Sequence, residues 1–175
     1  VRDEADGTLV LLERVLEGAD LKGFEARRGE SKRRGKLRGR GLSVYIEWTG
    51  ALPTETVDIR VDADGTVTVF SGTQAMGQGL ETSYAQLITE VLQIPLGKVR
   101  IVQGDTDQAN GMGSVGSRSA FVGGSAVVSA GRKTVARGKE LAADALESAA
   151  ADIEYRNGQF SIAGTDRSIA LAELA

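Results

Sequence analysis

Between Thr66 and Val102 the chain reads TVTVF, then SGTQAMGQG, then LETSYAQLITEVLQ, then IPLG and KVRIV. The first segment is a β-branched run that reads as a strand. In the third, Leu80, Tyr84, Leu87, Ile88, Val91 and Leu92 fall on one helical face. Pro95 prevents that helix from running far. KVRIV then reads as a second strand. A strand, helix and strand at this spacing predict a parallel pair joined by a right-handed crossover. Both strands would then end at the same sheet edge. MGQG follows the first strand, and the polar loop QGDTDQANGMGSVGSRS follows the second.

The neighbouring segments fill out an α+β fold: a two-layer mixed sheet with helices packed on it, containing this βαβ unit. TLVLLERVLE (8–17) predicts a short helix. The basic segment Arg27–Gly41 follows, and its glycines break any regular helix beyond Lys36. Gly41–Thr49 alternates well enough for a strand, and Pro53 marks a turn. Glu55–Asp62 alternates strictly and meets Thr66–Phe70 through Asp64-Gly65, a hairpin turn. A long helical pattern runs from about Ser119 to Ser148. Its Gly124, Gly131 and Gly138 are seven apart and share nearly one face, which predicts close packing there against another backbone. Asn157-Gly158 predicts a second hairpin. Ser168 reads as the cap of a last helix.

The chain has 175 residues, no Cys and no His. That excludes disulfides, thiolate nucleophiles, a Ser-His-Asp triad and the common zinc sites. Any catalysis must use carboxylates, backbone groups or a bound cofactor. No apolar run is long enough for a membrane span. Residues 1–8 are charged, with no signal pattern, so a cytoplasmic location is expected. The formal charge of −3 counts against nucleic acid as a partner.

Two loops at one edge, each leading into a helix N-terminus, favour a ligand with anionic or strongly accepting oxygens. Arg118 is suited to a bidentate phosphate contact, and Ser117 and Ser119 add hydroxyl donors. Plainer readings remain beside this one. The glycines can simply relieve strain in a turn, Ser119 can be only an N-cap, and Gln78 can be a solvent-facing loop residue. GMGSVG matches G-x-G-x-x-G, but it does not directly follow the strand and its helix is too long for a dinucleotide unit. The run Arg27–Arg40 has no interleaved aromatic platform beyond Tyr45 and Trp48, and reads as a solvated or inter-subunit arm. Asp105 and Asp107 lack the EF-hand spacing.

GTQAMGQGLETSYAQLITEVLQIPLGKVRIVQGDTD followed by GMGSVGSRSAFVGGSAV resembles the molybdopterin-binding region of molybdenum hydroxylase large subunits. This is the family of xanthine dehydrogenase, aldehyde oxidase and carbon monoxide dehydrogenase. FEARRGESKRRGKLRGRGLSVYIE resembles the family's approach to that region, so the resemblance runs from Phe24 to Ala175. It implies molybdenum held by a pyranopterin dithiolene, often extended by cytosine dinucleotide in bacteria. It places Gly77, Gln78 and Gly79 at the metal end and the pterin. It assigns pterin or phosphate oxygens to Gly116, Ser117, Arg118 and Ser119. The implied reaction is hydroxylation of a small aldehyde, purine or N-heterocycle, or oxidation of carbon monoxide, with water as the oxygen source. FAD and 2Fe-2S centres are expected on other domains or subunits, together with the rest of the large subunit and an oligomeric assembly. The family's general base is a Glu in a Gly-Glu pair, which neither Glu173 nor Glu140 matches. The chain reads as a piece of a longer protein: residues 1–40 a helix and basic arm, residues 41–175 a partial cofactor domain. Two other readings stay open. One is a non-redox αβ module for a phosphate-bearing ligand; the other is a nucleic-acid binder led by the arm.

Overall fold

The computed structural model describes residues 2–45, 47–50 and 54–175. The chain divides into two units, Val1–Tyr45 and Ile46–Ala175. In the first, α1 (Arg2–Gly18) extends the predicted helix toward the N-terminus, and α2 (Phe24–Arg33) carries the start of the basic run. Gly35 ends α2 with a left-handed φ of 68°. The Lys36 N–H reaches the Ser31 carbonyl at 2.9 Å and the Gly35 N–H reaches that of Lys32 at 3.0 Å. This Schellman arrangement explains why α2, which runs through Gly29, stops at Gly35. The alternating segment Gly41–Thr49 is not a strand in its described residues, and Ile46 lies outside them. Alternation makes a strand only where another strand offers a ladder. Leu42, Val44, Tyr45 and Trp48 stay exposed instead. Pro53 also lies outside the described residues.

In the second unit, β1 (Val57–Val61) and β2 (Val67–Ser71) pair antiparallel, with Ile59 opposite Val69. Asp64 closes their turn by accepting the Thr66 N–H at 2.8 Å. After α3 (Leu80–Leu92), β3 (Val99–Gln103) returns parallel to β2, with Val69 opposite Ile101. The βαβ unit is therefore present as expected. Val67 and Val69 point to the buried side, where Tyr84, Ile88 and Leu92 of α3 cover them. The last long helix begins as a π-helical turn, Ser119–Gly123, and continues as α4 (Gly124–Ala145). A second sheet follows, with β4 (Ile153–Arg156), β5 (Gln159–Ile162) and β6 (Ser168–Ala170) all antiparallel. The Asn157-Gly158 hairpin joins β4 to β5. Ser168 is no helix cap. It opens β6, because β5 offers it an open edge, and only a short 3-10 turn, Leu171–Leu174, follows. Among the described residues no helix is long and apolar enough to cross a membrane.

The glycine stripe does face a close neighbour, although its neighbours are side chains rather than backbone. A Cβ on Gly131 would lie 2.9 Å from Val91 Cγ1 and 3.2 Å from Ile88 Cδ1, and one on Gly138 would strike the Phe160 ring. Gly131→Leu is expected to cost about 1–3 kcal/mol by overpacking. An unchanged urea midpoint would show that α3 can move aside.

Tyr155 ties the second sheet to the first layer. Its hydroxyl donates to the Leu92 carbonyl at 2.6 Å, satisfying an open end of α3. Burial pushes this phenol up to about 12. A raised folded-state pKa means that the contribution is complete below the unfolded value near 10 and is lost as pH rises through about 12. Melting temperature should therefore fall across that alkaline window, and Tyr155→Phe should flatten the fall.

Candidate functional site

β2 and β3 run parallel, so the loops that follow them leave the sheet at one edge. There they form two walls of one groove of about 460 Å³. Met76, Gln78, Leu80 and Ser83 line one wall; Ser114 to Ser117, Ser119 and Ala120 line the other. None of these side chains titrates near neutral pH. The sequence expectation set Gly77–Gly79 and Gly116–Ser119 side by side at one edge; Gln78 from the first loop and Gly116, Ser117 and Ser119 from the second line this groove together.

Gln78 is exposed, not buried. Its amide braces its own turn, Oε1 accepting the Met76 N–H at 2.5 Å and one Nε2 hydrogen going to the Gln74 carbonyl at 3.1 Å, and the amide's second N–H is left over from these two bonds. Gly77 and Gly79 hold φ of 89° and 79°, and a Cβ on either would meet nothing within 4 Å. These positions demand glycine and leave the backbone open to close approach.

On the other wall Gly116 and Ser117 both adopt left-handed φ, 53° and 51°. For Ser117 that conformation is strained, and it persists where its surroundings fix it. Arg118 supplies the constraint. Its side chain is fully buried, as is that of Glu55, and Nη1 meets Glu55 Oε2 at 2.5 Å. The same guanidinium donates to the Gly113 carbonyl at 2.8 Å and to the Thr54 carbonyl at 2.5 Å. Arg118 is therefore turned into the protein and not into the groove. Sequence reasoning missed this because Glu55 lies 63 residues away.

Ser119 is not an N-cap; it is the first residue of the π-helical turn. Its carbonyl accepts the Tyr84 hydroxyl at 2.7 Å. That hydroxyl also meets Thr73 Oγ1 at 3.1 Å, and Gln103 Nε2 donates to the same Thr73 oxygen at 3.0 Å. Burial pushes the Tyr84 phenol up. The Tyr84 hydroxyl sits where a Cβ on Gly123 would be, so this position of the π-helical turn takes only glycine. The N–H groups of Ser119, Ala120 and Phe121 find no backbone acceptor among the described residues. The groove thus presents neutral donors and open glycine backbone. Such a donor set suits the oxygens and ring edges of a large organic cofactor that brings its own metal ligands.

Comparison with known proteins identifies the class. The family model for the molybdopterin cofactor-binding domain matches residues 14–175. The chain belongs to that family, and the molybdenum hydroxylase resemblance carried by its motifs is correct. It is 31% identical over 186 residues to the nicotine 6-hydroxylase large subunit of Paenarthrobacter nicotinovorans, covering 98% of this chain and 23% of that protein. It is 37% identical over 150 residues to the 6-hydroxypseudooxynicotine dehydrogenase complex subunit gamma of the same organism, covering 83% of this chain and 19% of that one. Among solved structures it resembles a Cu,Mo-CO dehydrogenase in its carbon monoxide reduced state, with a TM-score of 0.68 at 32% identity, covering 93% of this chain and 23% of the other. The chain thus spans about a fifth to a quarter of the length of these proteins.

Proposed function

We propose that this chain holds the molybdopterin cofactor within the large subunit of a molybdenum-dependent oxidoreductase. Gly77, Gln78 and Gly79 would hold it from one wall, and Gly116, Ser117 and Ser119 from the other. The observation that carries this reading is the single groove made by two glycine-rich loops, lined by neutral donors. Arg118 serves the site from behind, by fixing the loop that carries Ser117. When bound, the cofactor would supply the redox chemistry of a hydroxylation that takes its oxygen from water. The chain's own part is to bind and orient: open backbone at Gly77 and Gly79 admits the cofactor closely, and Leu80 and Val115 keep water from one side. The candidate substrates are a small aldehyde, a purine, an N-heterocycle or carbon monoxide. Nicotine and quinoline, named for two similar proteins, favour the N-heterocycle. The cytosine dinucleotide form, and FAD and 2Fe-2S centres on other domains or subunits, complete the proposal. The family match favours it over a non-redox module for a phosphate-bearing ligand.

The test is Gln78→Ala in the intact protein, with molybdenum and pterin counted per polypeptide. We expect retained cofactor to fall about threefold or more, with the melting temperature of the cofactor-free form unchanged. Wild-type content and activity in the variant would remove the role given to Gln78. A wild-type protein without molybdenum or pterin would overturn the whole reading.

A further inference from the structure

We propose that Gln74 and Ser114 are positioning residues that set the separation of the groove's two walls and aim Gln78, a role that rests on the cofactor reading above. The two loops first touch at Gly72 and Gly111, where a Cβ on Gly72 would lie 2.5 Å from the Asn110 carbonyl oxygen. The next contact toward the groove is Gln74 with Ser114, forty residues apart in sequence. The Ser114 hydroxyl does two things at once. It accepts the Gln74 N–H at 3.1 Å and donates to the Gln74 carbonyl at 2.7 Å. The Ser114 N–H donates to Gln74 Oε1 at 2.9 Å. These three bonds clasp one wall to the other. The same Gln74 carbonyl accepts Gln78 Nε2, so the clasp also fixes the amide of Gln78.

The clasp is braced from the interior. Gly113 has a φ of 80°, and a Cβ there would sit 2.8 Å from Gln74 Oε1. Its carbonyl accepts Arg118 Nη1 at 2.8 Å. A continuous path therefore runs from the buried Glu55–Arg118 pair through Gly113, Ser114 and Gln74 to Gln78. Ser114 is itself 8% exposed, so its hydroxyl has little water to turn to. A clasp of this kind fixes geometry without touching the ligand, which is how supporting side chains preorganise a site.

The experiment uses the intact protein and four substitutions. Ser114→Ala removes two of the bonds, and Ser114→Thr keeps the hydroxyl. Gln74→Met removes the acceptor for the Ser114 N–H, and Gln74→Glu keeps one. Molybdenum and pterin are followed during dilution, and the cofactor-free forms are melted. We expect cofactor loss to quicken about fivefold in Gln74→Met and about tenfold in Ser114→Ala. Gln74→Glu and Ser114→Thr should restore most of the retention, and all cofactor-free forms should melt within a few degrees of one another. Wild-type retention in both disruptive variants would overturn the clasp. Equal loss in Gln74→Met and Gln74→Glu would overturn it too, as would loss that only tracks the melting temperature. If Ser114→Ala fails to fold, the two Gln74 variants decide the matter alone. A wild-type protein that carries no molybdenum or pterin sinks the cofactor reading and the clasp with it, an outcome distinct from the others.

Discussion

Arg118→Leu is expected to cost about 3–5 kcal/mol of stability, the range for removing one partner of a buried ion pair. The substitution leaves the Glu55 carboxylate buried without its guanidinium, since neither side chain is exposed. It also removes the donor to the Thr54 and Gly113 carbonyls. Arg118→Lys should recover only part of the loss, because an ammonium cannot span three acceptors with the fixed fork of a guanidinium. Replacing both partners, Glu55→Leu with Arg118→Leu, should do better than either single change, since no unpaired charge remains. Denaturant unfolding of the four proteins gives the coupling directly. A single Arg118→Leu variant within about 1 kcal/mol of wild type would show that water reaches the pair. Hydrogen exchange should report faster opening at Gly116 to Ser119 in the same variant, because that loop keeps its left-handed pair of residues only while Arg118 anchors its end.

The reach of the sequence ended where contacts became long-range. Local signals worked: the Asp64-Gly65 and Asn157-Gly158 turns, the apolar face of α3 and the spacing of the α4 glycines are each written in residues a few positions apart, even where, as for Gly131 against Val91, the neighbour they meet is distant in sequence. The parallel pair followed because a strand, helix and strand so close together have few other arrangements. Gly41–Thr49 misled because its alternation is a property of one segment, while a strand needs a partner. Ser168 misled in the opposite way: β5 offered it a ladder that its own local pattern does not announce. For the site, the loops and their meeting were legible, but the working direction of Arg118 was not. A loop arginine before a helix reads as an anion contact until Glu55 closes on it. Gln74 and Ser114 lay inside the quoted motifs without being singled out. The signal that marks them is Gly113, whose positive φ and missing Cβ make room for the Gln74 amide.

The 175-residue chain by itself is expected to show no hydroxylase turnover, even when supplied with cofactor. The groove carries backbone donors, serines, a glutamine and apolar side chains, and none of these accepts a proton readily near neutral pH. Glu55, which lies nearby in the fold, is committed to Arg118. General-base catalysis contributes about 10²–10⁴-fold, so a site without a base would retain only a trace of the rate. The groove is also open to solvent on one side, so two loops alone cannot exclude water from a large cofactor. In the molybdenum hydroxylase reading, the base and the opposing wall come from other segments of the large subunit. The measurement compares turnover of an N-heterocycle by the intact protein and by this chain loaded with the same cofactor, at matched molybdenum content. Turnover by the chain above about 1% of the intact rate would exceed what a missing general base allows. It would place a proton acceptor within these residues and require a different account of the groove.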